Sequence, residues 1–306
     1  MNAASRATVE VDAGVLDGNV TGLLPFYLPA SDGQRFCLLH LPAPGRAPRG
    51  GIVYLHPLAE EMNKSRHIAA AQARAFAQAG YSVLQLDLYG CGDSSGEFAD
   101  ARWAIWRNDV QLACAWLAQR VDGPLTLWGL RLGALLALDL ATPTLLSPQP
   151  PMPLMPLIAR LLLWQPELDG RRCLERFLRL RLAAGMLQAA DARADARQEL
   201  AAGRAVEVAG YCLSAALAED LAAVAPAVPR VPVYWLQQEN AGNLPPAMVR
   251  QAASWRDAGA TVHLAGFDDG AFWQSGELLA CPHLFDATSK LCADWLATQV
   301  DDEGCP

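Results

Sequence analysis

Seven short β-rich runs, several of them apolar almost throughout, alternate with stretches of helical spacing, and this alternation limits the fold more than any other feature of the chain. The runs "RFCLLHLPA", "GIVYLHP", "YSVLQLDLYG", "PLTLWG", "ARLLLWQP", "PVYWLQQ" and "TVHLAGF" read as strands, and near-continuous apolarity is what a strand covered on both faces requires. Between them, "HIAAAQARAFAQAG", "ARWAIWRNDVQLACAWLAQR", "LGALLALDLA", "AMVRQAASWRDAG" and "HLFDATSKLCADWLATQV" carry apolar residues at helical spacing. Gly80 and Gly259 stand where helix-ending glycines belong. The pattern predicts an α/β protein with a mainly parallel, doubly wound sheet, entered by an antiparallel hairpin around "PASDGQ". A chain of 306 residues, 52% hydrophobic and 18% charged, can bury one large core with a small insertion.

Two stretches break the alternation. Six prolines between Pro143 and Pro156 predict an irregular surface connection. The longer Ala/Leu/Arg-rich stretch that follows "ARLLLWQP" has helical spacing and reads as a helical cap over the strand ends. The expected organisation is a core over residues 1–168, a cap over 169–228 and the rest of the core over 229–306. Arg171, Arg172, Arg176, Arg179 and Arg181 give the cap a basic face, read as solvated lid surface.

Charge and cysteine usage exclude several function classes. Lys and Arg number 24 against 32 Asp and Glu, a net charge of −8, and no basic run with interleaved aromatics offers a nucleic-acid footprint. The N-terminus lacks an apolar segment of signal-peptide length and no later run is long enough to insert in a membrane, so the expected location is cytoplasmic. Eight cysteines without any C-x-x-C fit reduced thiols better than zinc or a disulfide framework, and no metal is expected. "YGCGDSSGEF" has the wrong glycine spacing for a dinucleotide loop, so no cofactor is expected; Asp87, Asp93 and Ser94 read as organisers of that loop.

In a doubly wound sheet the ligand crevice lies beyond the carboxyl ends of the strands. There, Gly129-Leu130-Arg131-Leu132-Gly133 has the glycine placement of the G-x-S-x-G nucleophile elbow. Arginine stays protonated and cannot attack an acyl carbon. Arg131 therefore either clamps a ligand anion or is neutralised internally by Glu60, Glu61, Asp93 or Asp269. The backbone N–H groups of Leu132 and Leu58 are the candidate oxyanion-type donors. The acid position offers Glu239 and the base position Asp269. His56 is the histidine nearest the crevice, as a general base or as a loop brace; His40 and His263 fall in strands, while His67 and His283 open helices. Glu60, Glu61 and Asp93 are expected in the pocket, with Phe272 and Trp273 as walls or as core. Asn63 or Ser65 is a candidate helix cap, and Cys91 an alternative nucleophile.

The runs "LHPLAEEMNKSRH", "LDLYGCGDSSGEFADARWAIWRNDV", "LWGLRLGALLA" and "DDGAFWQSGE" resemble the hydrolase 2 proteins associated with exosortase A systems, a branch of the α/β-hydrolase superfamily, over roughly Leu23 to Leu296. The resemblance implies an α/β-hydrolase fold and a bacterial setting of PEP-CTERM protein export and exopolysaccharide synthesis, with acyl-activating enzymes nearby. Two functions are compatible with it: a protein that binds an anionic acyl or saccharide ligand, or a divergent acyl ester or thioester hydrolase or transferase that uses activated water. A third role is as a partner of another protein from the export locus.

Overall fold

The computed structural model describes residues 22–141, 158–184, 196–225 and 228–297; the proline-rich stretch from Pro143 to Pro156 lies outside the described residues. An eight-stranded sheet runs in the order β1 (Leu23–Ala30), β2 (Gly33–His40), β4 (Tyr81–Leu86), β3 (Gly50–Leu55), β5 (Leu125–Leu130), β6 (Ile158–Trp164), β9 (Val233–Gln238) and β10 (Val262–Phe267). Strands β1 and β2 form the expected hairpin, with Ala30 paired to Gly33 across a two-residue turn. The hairpin joins the sheet through an antiparallel β2–β4 pair, and the pairs from β4 through β10 are all parallel.

Strand alternation divides the core into two layers. Val53, Leu55, Leu125, Leu127, Leu161, Leu163 and Trp235 face one side, where α2 (Trp103–Ala118), α3 (Leu132–Ala141) and α6 (Pro246–Asp257) cover them. Their neighbours Tyr54, Trp128, Leu130, Leu162, Trp164 and Leu236 face the other side, under α1 (Glu60–Gln78), α7 (Pro282–Leu291) and α8 (Ala293–Ala297). A strand apolar at every position is what such double burial needs. The chain leaves β3 toward β4 on one side and returns to β5 on the other, so the ends of β3 and β5 flank a topological switch point.

Helix α1 starts at Glu60, about two turns before the expected "HIAAAQ" run, so His67 lies inside it and does not open it. Two acids in the first turn favour the early start by complementing the helix dipole. Neither Asn63 nor Ser65 caps the helix: the Ser65 hydroxyl donates to the Glu61 carbonyl at 2.8 Å from within it. The helix ends as expected, with Gly80 at φ 100° just past the Ala79 cap.

Between β6 and β9 lie α4 (Gly170–Ala184), a hairpin of β7 (Val206–Val208) and β8 (Tyr211–Leu213), and α5 (Ala215–Ala223). The hairpin departs from the all-helical expectation. Val206, Val208 and Leu213 are buried, while Ala209 and Gly210 take φ of 50° and 84°, the left-handed pair that a two-residue hairpin turn requires. Ser214 then caps α5, its hydroxyl accepting from the Leu217 N–H at 3.2 Å.

One buried ion pair ties the entry hairpin to the rest. The Arg35 Nε donates to Asp109 of α2 at 2.6 Å, with Arg35 1% and Asp109 2% exposed; Asp109 also accepts the Tyr89 N–H at 2.8 Å. Arg35 also pairs with Asp32, whose side chain is 38% exposed, so removing Asp109 leaves the buried guanidinium only that one carboxylate at the surface. Asp109→Ala should cost about 3–5 kcal/mol, measured as a lower urea midpoint with an unchanged slope.

Candidate functional site

The turn after β5 has the geometry of an elbow. Arg131 adopts φ 58°, a left-handed conformation that is strained for a residue with a long side chain. Its two flanking glycines are required by close approach: a Cβ at Gly133 would stand 2.1 Å from the Leu55 carbonyl oxygen, and one at Gly129 would stand 2.4 Å from the Ala134 backbone. The Arg131 N–H donates to the Trp164 carbonyl at 3.1 Å, while its own carbonyl accepts from Ala134, Leu135 and Glu167.

The Arg131 side chain is 5% exposed and engaged through Nε and Nη2 by acids of its own chain. Its Nε and Nη2 donate to the two carboxylate oxygens of Glu61 at 3.3 and 3.2 Å, and Nη2 lies 2.7 Å from Glu167 Oε1. Arg176 of α4 reaches the same Glu167 oxygen, so this residue belongs to the crevice and not to the solvated basic face expected of it. Trp273 lies 5.4 Å from the guanidinium carbon, within cation–π range. Burial works against the charge of Arg131, yet Glu61 and Glu167 outweigh it and hold the group above its ordinary range. Burial in turn pushes the Glu61 carboxyl up, with Arg131 opposing.

Of the four acids expected to neutralise Arg131, only Glu61 does so. Glu60 lies next to it on α1, near Tyr211. Asp93 is exposed, and its N–H donates to Asp87 at 3.1 Å. Asp269 accepts the Leu284 N–H at 2.6 Å and lies 3.1 Å from His283 Nδ1, and so caps α7. Glu239 folds against Gly266. The second partner, Glu167, follows the end of β6, and nothing in the sequence singles it out.

His56 is buried with both ring nitrogens occupied: Nδ1 lies 2.7 Å from the Pro57 carbonyl, which fixes the proton there. Nε2 accepts the Leu88 N–H at 3.3 Å. Burial lowers its pKa, with Asp87 opposing. Beside it, burial and then Asp87 and Asp109 raise the Cys91 thiol far above its ordinary range, leaving it protonated and inert. His56, Leu58, Cys91 and Leu132 share a void of only about 10 Å³, room for one water at most. Phe272 and Trp273 are both buried and pack edge to face with centroids 5.0 Å apart, as core and as lid of the Arg131 cluster. Their loop is pinned to α1 by Lys64 donating to the Gln274 carbonyl at 3.2 Å and by His67 at 3.1 Å from the Leu279 carbonyl.

A larger groove of about 560 Å³ opens beside the elbow, lined by Met62, Asn63, Arg66, Asp93 and Tyr211 with the Gly90–Gly92 backbone. The Arg66 Nη2 donates to both oxygens of Asp87 at 3.0 and 2.8 Å. Asp87 and Ser94 organise the loop as expected: the Ser94 hydroxyl donates to the Asp87 carbonyl at 2.5 Å and accepts the Phe36 N–H at 2.8 Å. Among the described residues no cluster of metal-ligating side chains occurs, and no helix is long and apolar enough to cross a membrane. The seven described cysteines are free thiols.

A left-handed turn between a central parallel strand and the next helix, at the switch point of a doubly wound sheet, defines an α/β-hydrolase fold. The comparisons agree. Residues 46–194 match the serine aminopeptidase S33 family. Similar solved structures include Est1E from Butyrivibrio proteoclasticus with ferulic acid bound (15% identity, 89% of this chain and 99% of that one, TM-score 0.59). A thermophilic esterase from Thermogutta terrifontis gives 17% identity, 91% and 95% coverage and a TM-score of 0.57. An α/β serine hydrolase without a lid from Xanthomonas campestris gives 16%, 92% and 98%, and 0.55. Comparison with curated proteins returned no match.

Two outcomes follow from this geometry. Arg131→Met deprives the half-buried Glu61 and the buried Glu167 of their shared cation and should cost about 3 kcal/mol, while Arg131→Met with Glu61→Met should recover part of that loss, read by a double-mutant cycle in urea. His56 is held neutral, so its contribution to stability is complete above the ordinary histidine value of 6.5 and is lost as pH falls below it. Wild type should therefore weaken between pH 7 and pH 5.5 more steeply than His56→Asn.

Proposed function

We infer that this α/β-hydrolase-fold protein binds a small polar ligand and does not carry out acyl transfer at its elbow. The observation that carries the reading is the locked Arg131: the position that would present a nucleophile holds a cation paired to Glu61 and Glu167. His56, the imidazole named as a candidate base, has no ring nitrogen left for a substrate.

The groove between α1, the 87–98 loop and β8 is the ligand site in this reading. Its volume falls in the range of small-molecule pockets. Tyr211 and Met62 supply apolar surface, while Asn63, Arg66 and Asp93 supply hydrogen-bonding groups. Arg66 is already neutralised by Asp87, and Asp93 with the nearby Glu60 adds negative charge. That balance favours an uncharged saccharide over an anionic acyl group. The exopolysaccharide setting implied by the resemblance accommodates such a ligand, and Tyr211 makes the 169–228 insertion part of the site, as a cap.

Calorimetric titration with neutral oligosaccharides tests the reading. Binding should weaken about tenfold, ~1.4 kcal/mol, in Tyr211→Ala and Asn63→Ala, and short acyl esters and thioesters should turn over at the buffer rate. Ester or thioester turnover above buffer that disappears in His56→Ala or Asp269→Asn would replace binding with the water-activating hydrolase. No saccharide binding in the wild type would reject the groove.

A further inference from the structure

The Arg131 cluster contains an arrangement that its own neutralisation conceals. One carboxylate oxygen, Glu167 Oε1, is approached by two guanidinium groups, from Arg131 at 2.7 Å and from Arg176. The two arginines come from different elements, the elbow after β5 and helix α4, and converge on a point beyond the strand ends. Arg131 is 5% exposed and Glu167 9%, whereas Arg176 is 37% exposed, so the cluster is buried on the sheet side and reaches solvent on the α4 side. The Glu167 backbone is fixed independently, its N–H donating to the Arg131 carbonyl at 3.1 Å, so only the side chain must move to uncover the fork.

We propose that Arg131 and Arg176 form a binding site for a single carboxylate group, and that Glu167 occupies it as a built-in pseudo-ligand which an incoming carboxylate displaces. Both contacts on Glu167 Oε1 are ion-pair contacts without hydrogen-bond geometry, so Glu167 satisfies the fork incompletely, and an incoming carboxylate that sets an oxygen against each planar guanidinium fits it better. With the Glu167 carboxylate removed, Glu61 balances one of the two arginines and a single positive charge remains, which sets the preference for a monoanion. The site uses Arg131, Arg176 and Glu167, none of which lines the saccharide groove, and it stands or falls independently of that groove.

Chemical rescue of Glu167→Ala tests the proposal, with acetate as the probe and acetamide as its uncharged analogue. Glu167→Ala should unfold at a lower temperature than wild type. Acetate should raise that midpoint saturably, at a concentration at least tenfold lower than acetamide needs, and wild type should respond at least tenfold more weakly than the variant. Adding Arg176→Met to Glu167→Ala should abolish the acetate response. Equal effects of acetate and acetamide on Glu167→Ala, or an undiminished acetate response in the double variant, would overturn the proposal. If Glu167→Ala does not fold in plain buffer, recovery on refolding in acetate supports the site. Failure to recover there, with a Glu167→Gln protein that acetate affects no more than equimolar chloride, overturns it.

Discussion

A buried cation must be balanced where it stands, and in this molecule the balance of Arg131 organises everything around the crevice. Glu61 arrives on α1, Glu167 on the loop after β6, Arg176 on α4 and Trp273 on the loop after β10. Desolvating a guanidinium costs several kcal/mol unless its partners are close and well aligned. The four elements are therefore held to a common point, and the α1 start two turns ahead of its apolar run brings Glu61 to that point.

The same convergence explains how the crevice differs from an acyl-transfer site. A serine at an elbow needs an imidazole with a ring nitrogen to spare and a space for the substrate carbonyl. Here the loop after β10 is folded back onto α1, with Lys64 and His67 holding its carbonyls, and Asp269 is turned toward the start of α7. His56 bridges the ends of β3 and β4 through Pro57 and Leu88. His56 and Asp269, both named for catalysis in the sequence, do structural tasks, and open volume lies to one side, against Tyr211 and Arg66.

The sheet was legible because each central strand is apolar at nearly every position, a pattern only double burial explains, and Gly80 marked the end of α1 at the right residue. The start of α1 was not legible: Glu60, Glu61, Asn63 and Lys64 are polar and show no apolar periodicity, and the helix gains there from first-turn acids and from the Glu61–Arg131 pair. The β7–β8 hairpin was hidden in an Ala-rich context, although Val206, Val208 and the Ala209-Gly210 turn carry its signal. At the site, internal pairing of Arg131 was one of two readings that its charge left open, and Glu61 was one of four acids its neighbouring loops offered. Glu167 was not legible, since a single acid after a strand is indistinguishable by sequence from a solvated one. The occupancy of both His56 nitrogens depends on the Pro57 carbonyl and the Leu88 amide, which no side-chain pattern reports.

Gly129 and Gly133 keep their places although no serine stands between them. What excludes a methyl group at either position is collision with main-chain atoms of Ala134 and Leu55, a demand indifferent to whatever reagent occupies the bend. The glycine spacing is thus a signature of architecture and not of reactivity. A chain can exchange its reagent for a keystone while the arch that carried it stays the same shape.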